Sequence, residues 1–290
     1  MNASRDRLLT LIKLTTHTRS KRRRLPRPPK PTPPMSLERS YTRDLLDMMA
    51  YCKSLVDQRL VPKLAHYAQN SAPHFARKRT DDLMGDLFGD LEWIRVAFAR
   101  QYTDKELYRI ALRSGEALSA LNKRNLSGQI KRVLGIDILS TDPKAGNIIE
   151  GWAQNNARMI KTVPDRYLYD VSQTTFNGFT EGKRWEEIAD DLSERFGVSE
   201  WNAERIARDQ INKLNGQLTE ERQTDVGVTA YVWRTSMDDR VRDSHAANEG
   251  KTIQWDDPPL ETGHPGQSVM CRCWAEPVLD DLIDGTNDDA

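Results

Sequence analysis

Apolar residues recur every three or four positions through most of the first 226 residues, which is the spacing of one face of an α-helix. The first stripe follows Ser36, a residue type favoured at the N-terminal cap of a helix, and Pro62 interrupts it. Its members are Leu37, Tyr41, Leu45, Met48, Cys52, Val56 and Leu60. The pattern predicts a long helix in which Cys52 is a small core residue and not a reactive thiol.

Further stripes predict more helices, each bounded by a start or stop signal. A capping box begins at Thr103, and Gly135 is placed to end the short helix that precedes it. A later helix is expected to stop before Pro164. Gly197 is expected to end another helix, and Ser199 to cap the one after it. The sequence therefore predicts several separate helices before the chain changes character.

From Thr229 onward the apolar residues are β-branched and aromatic, and their spacing is that of strands. Three segments are predicted strands: residues 229–233, 252–255 and 269–274. Ser236 with Asp239 matches a second capping box, which predicts a short helix over residues 237–247. The predicted fold class is therefore mainly α with a small C-terminal α+β module, preceded by an extended, basic, proline-rich N-terminal arm.

These patterns divide the chain into five predicted segments. They are an N-terminal arm (residues 1–36), a helical region (37–150), a second helical region (151–226), the C-terminal module (227–277) and an acidic tail (278–290). The chain is 290 residues long, with 38% hydrophobic and 30% charged residues, which indicates a soluble protein with much solvated helix surface. No apolar run approaches the roughly 20 residues of a membrane span, so no membrane partner is expected.

The N-terminal arm is strongly basic although the net charge of the whole chain is zero. Prolines between residues 26 and 34 favour an extended conformation. A basic extended arm can follow a nucleic-acid backbone, which makes double-stranded DNA a candidate partner. The residues of this hypothesis are Lys21, Arg22, Arg23, Arg24, Arg27 and Lys30. The alternative is a solvated tail without a partner.

Two of the five histidines and two of the three cysteines fall in the C-terminal module. Cys271 and Cys273 share one face of the predicted last strand, and His245 and His264 come from the predicted helix and a loop. Such a Cys₂His₂ set suits a structural Zn²⁺, the one cofactor that the sequence suggests. The alternative is a hydrogen-bonded core.

In that alternative, the cysteines are buried small residues and the two histidines bond to backbone or carboxylate groups. Asp239 and Asp243 then pair with Arg240 and Arg242. Three cysteines cannot all pair, and this odd number favours a reducing compartment.

Catalysis is not expected. The chain has no Gly-rich phosphate loop, no nucleophile elbow and no paired histidines at helical spacing. The alternative function is a metal-dependent nuclease or hydrolase that uses His245, His264, Cys271 and Cys273. A host-encoded adaptor with a basic tail is a further alternative.

The last part of the chain carries an ordered series of short motifs. They are Trp185-Glu186-Glu187-Ile188-Ala189, Phe196-Gly197-Val198-Ser199, Ala203-Glu204-Arg205-Ile206-Ala207-Arg208, Gly227, Tyr231-Val232-Trp233, Asp239-Arg240-Val241-Arg242, His245, Gly250, His264-Pro265 and Cys271-Arg272-Cys273. In this order, over roughly residues 150–277, the chain resembles the Mu F-like minor head proteins, or head morphogenesis proteins, of tailed bacteriophages and prophages. The family usually continues Thr-Glu where this chain has Asp209-Gln210.

The resemblance implies a minor structural protein of the virion, without catalytic residues. Such proteins are associated with the portal inside the head, and act in capsid assembly and in DNA packaging or ejection. The implied partners are the portal protein and the major capsid or scaffold protein. The implied location is the virion, with the host cytoplasm during assembly.

Overall fold

The structure is a computed structural model that describes residues 26–70, 78–135, 142 and 144–280. Side chains are described in these ranges except at residues 67–70 and 78–84. Most of the predicted N-terminal arm (residues 1–25) and most of the acidic tail (281–290) lie outside the described residues. Residues 26–33 form neither helix nor strand.

The protein is mainly helical, with a small antiparallel sheet near its C-terminal end. The long helices within the described ranges are α1 (Met35–Arg59), α2 (Val61–Asn70), α3 (Lys78–Gln101), α4 (Asp104–Leu134), α5 (Ala145–Thr180) and α6 (Trp185–Asp225). None of them combines the length and the apolarity needed to cross a membrane.

Several predicted helix boundaries are confirmed. The hydroxyl of Thr103 accepts the backbone N–H of Glu106 at 3.2 Å, as a capping box requires. Gly135 has φ +80° and ends α4 with an N–H to the carbonyl of Lys131. The prediction for Ser36 is wrong by a residue or two, because α1 begins at Met35 and the Pro34 carbonyl accepts its first amides.

The predicted breaks inside the long helices are wrong. Pro164 lies within α5, because proline removes only one donor and the buried side chains on either side keep the helix packed. Gly197 and Ser199 lie within α6, where the Ser199 hydroxyl bonds back to the carbonyl of Arg195. A helical glycine costs only about 1 kcal/mol, which burial of an apolar stripe outweighs. The short helix predicted before Gly135 is likewise part of the continuous α4.

The sheet has the order β2-β1-β3, with both pairs antiparallel. Its strands are β1 (Ala230–Arg234), β2 (Thr252–Gln254) and β3 (Trp274–Pro277), and a short helix α7 (Asp243–Ala246) lies between β1 and β2. Val232 of β1 is opposite Thr252 on one side and Glu276 on the other. The first two predicted strands are thus confirmed to within one or two residues.

The other two predictions for the C-terminal module need correction. The third strand occupies residues 274–277 and not 269–274, because Met270 has φ +58° and cannot continue a strand. The predicted helix over residues 237–247 is reduced to α7, because Met237 also has φ +58°. The Ser236 hydroxyl bonds to the Asp238 carboxylate and does not cap a helix. Cys271 and Cys273 therefore lie in irregular chain before β3.

Contacts divide the chain into two compact units. The first unit holds the described residues of 26–38, 112–152 and 208–280, which include the C-terminal module. The second unit, residues 39–111 and 153–207, is helical throughout its core, and Cys52 is fully buried there as predicted. Burial raises the pKa of the Cys52 thiol to about 12, with a smaller contribution from Asp165.

The end of α6 joins the sheet through one side chain in the first unit. Gln223 is fully buried, donates to the carbonyl of Ala275 on β3 at 3.1 Å, and accepts the indole N–H of Trp255 at 3.2 Å. Both ends of its amide are thereby used, which fixes the sheet against the helix. The small hydrophobic core of the module, Tyr231, Trp233, Trp255 and Ala275, lies at this junction.

Candidate functional site

Three of the four predicted metal ligands meet in the C-terminal module. His245 Nδ1 lies 3.4 Å from Cys273 Sγ and 3.6 Å from Cys271 Sγ, and the three donor atoms all lie within 4.8 Å of one another. His245 and Cys271 are each 4% exposed, and Cys273 is half-buried. We refer to these three residues as the His-Cys cluster.

His245 reaches the cluster from α7, one turn of helix between β1 and β2. Its ring packs edge-on against Trp233 of β1, with centroids 5.6 Å apart. A guanidinium nitrogen of Arg242 lies 3.2 Å from Nε2 of the same ring. A second nitrogen of the same guanidinium donates to the carbonyl of Val269, which precedes the cysteines. The imidazole is therefore held in place by Trp233 and by Arg242.

The position of Cys271 depends on a strained backbone residue that is hydrogen-bonded to α6. The preceding residue, Met270, is in the left-handed region, which costs a non-glycine residue roughly 1 kcal/mol or more. Its N–H donates to the carboxylate of Asp209 at 2.8 Å, and Lys213 pairs with the other carboxylate oxygen at 2.7 Å. Asp209 thus fixes the turn that leads into Cys271.

The loop before the cysteines also touches α6 at a glycine. A Cβ at Gly216 would lie 2.5 Å from the carbonyl oxygen of Pro265, so only glycine allows this approach. Gly266 has φ +93°, and its N–H donates to Cys271 Sγ at 3.4 Å. The close contact of helix and loop therefore determines where one sulfur of the cluster lies.

The two thiols affect each other's ionisation. A hydrogen bond from the Cys273 thiol lowers the pKa of Cys271, and the Gly266 N–H acts in the same direction against the effect of burial. The pKa of Cys273 is raised, first by its hydrogen bond to Cys271 and then by burial. The pair therefore favours one thiolate and one thiol that share a proton, next to an imidazole.

His264, the fourth predicted ligand, is not part of the cluster. Its Nδ1 lies 2.9 Å from the hydroxyl of Tyr231, and its Nε2 lies 3.1 Å from the carbonyl of Trp255. A carbonyl can only accept, so Nε2 carries the proton and Nδ1 accepts from the hydroxyl. Both ring nitrogens are then used, and His264 has no free lone pair for a metal.

The charged residues of the module form pairs other than those expected for a hydrogen-bonded core. Asp238, and not Asp239, accepts from both Arg240 and Arg272. The pKa of Asp238 falls to about 2, chiefly because of the Arg272 hydrogen bond. Arg242 contacts His245 and Val269, as described above.

Two of the six predicted DNA-binding residues lie within the described chain, and both contact the module. Arg27 donates to both carboxylate oxygens of Glu276, and Lys30 lies 4.8 Å above the ring of Trp274. Arg234 pairs with the same Glu276 at 2.8 Å. Burial alone would raise the pKa of Glu276, but the bonds from the two arginines outweigh it and the pKa is lowered. Residues 21–24 lie outside the described residues.

Sequence reasoning missed three residues that build the cluster. Gly216 interrupts an otherwise regular helical stripe, and an isolated glycine in such a pattern often marks close packing. The one sequence signal at Asp209 is its departure from the pattern of the family that the chain resembles. Trp233 belongs to the Tyr231-Val232-Trp233 motif, but an aromatic residue in a strand is ordinary core and does not reveal a contact with the cluster.

The sequence-based resemblance is confirmed by comparison with known proteins. Residues 169–276 match the family described as Phage Mu protein F like protein. The matched segment contains α6, the whole of β1 and β2, and the His-Cys cluster.

Two curated relatives match part of the chain. An uncharacterized protein of Haemophilus influenzae is 34% identical over 164 residues, which cover 56% of this chain and 37% of the relative. A protein of Enterococcus faecalis named NAD(+)--arginine ADP-ribosyltransferase EFV is 26% identical over 132 residues, or 41% of this chain and 27% of that protein. The chain thus spans roughly a third of the length of these relatives. No solved structure matches it.

Proposed function

We propose that this protein, through its Mu F-like segment of residues 169–276, is a minor structural protein of a tailed phage or prophage. In this proposal it is associated with the portal inside the head, and acts in head assembly and in DNA packaging or delivery. The family match is the observation that carries the proposal, because the family suggests head morphogenesis. The proposed partners are the portal protein and the major capsid or scaffold protein. The proposed location is the virion, and the host cytoplasm during assembly.

Docking on portal or capsid protein is assigned to the helical residues 37–226, and within them to helix α3. Helix α3 supports this assignment, because it exposes Phe88, Trp93 and Val96, each with at least 43% of its surface accessible. Large apolar side chains at these positions provide contact area of the kind that protein interfaces use. The guanidinium of Arg59 stacks over Trp93 at 5.2 Å, which keeps the indole in place on the surface.

Co-purification with the portal protein of the same phage tests the docking proposal. We expect the full chain to be retained on immobilised portal protein, and Phe88→Asp to weaken retention. The matched control is Trp201→Asp, which changes an aromatic residue that is equally exposed on α6. Absence of the chain from both purified virions and proheads would reject the proposal as a whole.

DNA binding through the N-terminal arm remains a second part of the proposal, with a narrower set of residues. Arg27 already pairs with the carboxylate of Glu276, and Lys30 lies over the ring of Trp274, so both side chains have partners within the chain. The proposal therefore rests on Lys21, Arg22 and their neighbours up to residue 24. These four cations have the charge density that releases counterions from a DNA backbone.

Salt-dependent binding measures this role directly. Replacing residues 21–24 by glutamine should reduce the slope of log K against log salt by about 3–4, at roughly 0.9 per phosphate contact. The control replaces Lys131 and Arg132, which are exposed near the end of α4, and should leave the slope unchanged. An unchanged slope in the variant of residues 21–24 would remove the arm from the proposal.

The alternative function, a metal-dependent nuclease or hydrolase, is favoured by one observation, the convergence of the His-Cys cluster. We propose that the protein has no catalytic activity, in keeping with the structural role that the family match suggests. Incubation of the purified chain with double-stranded DNA and Zn²⁺ or Mn²⁺ separates the two. Cleavage that depends on the metal and is lost in His245→Ala would support the enzyme and reject the structural role.

A further inference from the structure

The donor atoms of the His-Cys cluster are spaced like three corners of a metal-centred tetrahedron. With metal–sulfur and metal–nitrogen distances of about 2.3 and 2.05 Å, the sulfur–nitrogen edge of a tetrahedron is about 3.5–3.6 Å. The observed distances from His245 Nδ1 to the two sulfurs are 3.4 and 3.6 Å. We propose that His245 Nδ1, Cys271 Sγ and Cys273 Sγ bind one Zn²⁺ ion.

The chemistry of the donors selects the class of metal. Two thiolates and one imidazole form a soft donor set that favours Zn²⁺ over the hard cations Mg²⁺ and Ca²⁺, which prefer oxygen. Within the part of the chain that the structure describes, no carboxylate joins these three donors in the group. Calcium and magnesium are therefore poor candidates for this site.

The surroundings of the sulfurs suit thiolates that are bound to a cation. Cys271 Sγ accepts the N–H of Gly266. The indole N–H of Trp233 is fully buried without a nitrogen or oxygen acceptor, and it hydrogen-bonds to the sulfur of Cys273. Hydrogen-bond donors around metal-bound sulfur orient the ligand and stabilise its charge. A buried indole that lacks an oxygen acceptor costs free energy unless such a sulfur compensates it.

Binding requires a change of tautomer at His245. A metal on Nδ1 takes the lone pair there, so the proton must be on Nε2. Arg242 then faces an N–H and can no longer donate to the ring, whereas its bond to Val269 is unaffected. Arg242 is therefore not a supporting group of the zinc site, and Arg242→Gln should retain zinc. A glutamine oxygen can accept the Nε2 proton, which the guanidinium cannot.

Three protein ligands leave one tetrahedral position, which we assign to a water molecule. His264 is excluded from this position because both of its ring nitrogens are already bonded within the module. The ion would join α7 to the segment that leads into β3, between ligands that lie 26 positions apart in the sequence. A small module with a four-residue apolar core gains folding stability from such a link.

The metal content of the purified full chain tests the proposal. Protein expressed in zinc-containing medium and purified under reducing conditions without chelator should contain one Zn²⁺ per chain by elemental analysis. Cys271→Ser, Cys273→Ser and His245→Ala should each lose most of it. Two controls should keep the full content: Cys52→Ala, which changes the buried cysteine of the second unit, and His264→Gln, which changes the histidine that is bonded elsewhere.

A spectroscopic measurement on the unmodified chain covers the case in which the variants fail to fold. After removal of zinc by a chelator, Co²⁺ should bind with the intense sulfur-to-metal charge-transfer band and the visible bands of a tetrahedral thiolate site. Re-addition of Zn²⁺ should abolish these bands and raise the thermal midpoint by roughly 5 °C or more.

Three outcomes would overturn the zinc site. The first is a metal-free purified chain that also fails to take up Co²⁺. The second is full zinc content in Cys271→Ser. The third is a Cys271–Cys273 disulfide that persists under reducing conditions, detected as two unreactive thiols by alkylation. Each readout is independent of portal binding, so the zinc site and the proposed virion role succeed or fail separately.

Discussion

The second unit and the C-terminal module bury their side chains in different ways. The second unit buries aliphatic side chains completely, such as Leu45, Leu87 and Ile94. The module has a core of four residues, of which Tyr231 and Trp255 also depend on hydrogen bonds to His264 and Gln223. Apolar packing is sensitive to volume, whereas the module is sensitive to specific donors, charges and close backbone contacts.

This difference determines what each region can be used for. The long helices accommodate Pro164 and Gly197 in their interiors, because many buried apolar side chains along each helix contribute to its stability. The module is held by a few specific hydrogen bonds and close backbone contacts, and it also contains the three side chains of the proposed zinc site. Chemistry is therefore concentrated in the module, and the helices provide shape and surface.

The largest effect is expected at Trp233, a fully buried core residue that also contacts His245 of the cluster. Trp233→Ala removes a fully buried ring that also supports His245, and should lower the free energy of unfolding by about 3–5 kcal/mol. Amide hydrogen exchange of β1 measures the loss. Trp201→Ala, at a site 55% exposed, should cost no more than about 1 kcal/mol through its lost contact with Arg205. Equal losses at the two sites would contradict the burial assigned to Trp233.

The corresponding change in the second unit is Leu45→Ala. It leaves a cavity in an aliphatic core and should lower stability by about 2–5 kcal/mol, as read from hydrogen exchange in α1. Met35→Ala, on the exposed start of the same helix, should change stability by less than about 0.5 kcal/mol. Leu45→Ala should also leave the zinc content unchanged, whereas Trp233→Ala should lower it. A loss of zinc in Leu45→Ala would contradict the expectation that zinc binding in the module does not depend on packing in the second unit.

A glycine pair tests the close contact of helix and loop. Gly216→Ala places a methyl group 2.5 Å from a backbone carbonyl, and should destabilise the first unit by about 1–3 kcal/mol. Gly128→Ala, in α4 with open space around its Cα, should stabilise by about 0.5–1 kcal/mol, because alanine favours a helix. Thermal unfolding of the two variants gives opposite signs. A stabilised Gly216→Ala would mean that loop and helix do not touch as described.

The smallest expected effect is electrostatic, at Asp238. Its folded-state pKa of about 2 lies below the ordinary value of 3.8, so it contributes stability above pH 4 that is lost as the pH falls toward 2. Asp238→Asn should flatten the pH dependence of the thermal midpoint in that window and leave the profile near pH 7 unchanged in shape. Asp239→Asn is the control, because the bonds from Arg240 and Arg272 go to Asp238. Identical profiles for the two variants would reject the ion pairs.

The sequence by itself determined the helical architecture, the positions of β1 and β2, and the family to which residues 169–276 are similar. These features depend on local spacing, which a linear pattern records directly. The sequence also shows that two histidines and two cysteines lie in one module. It placed the cysteines in a regular strand, although they lie beyond a left-handed Met270 in irregular chain.

Only the tertiary structure decided which of these side chains meet. The path of the loop depends on Gly216 and on the carboxylate of Asp209, both on a helix far away in sequence. His264 is bonded to Tyr231 and Trp255 because the sheet places a hydroxyl and a carbonyl on either side of its ring. Periodicity cannot predict such contacts, since they depend on the distance between elements and not on the order of residues within one.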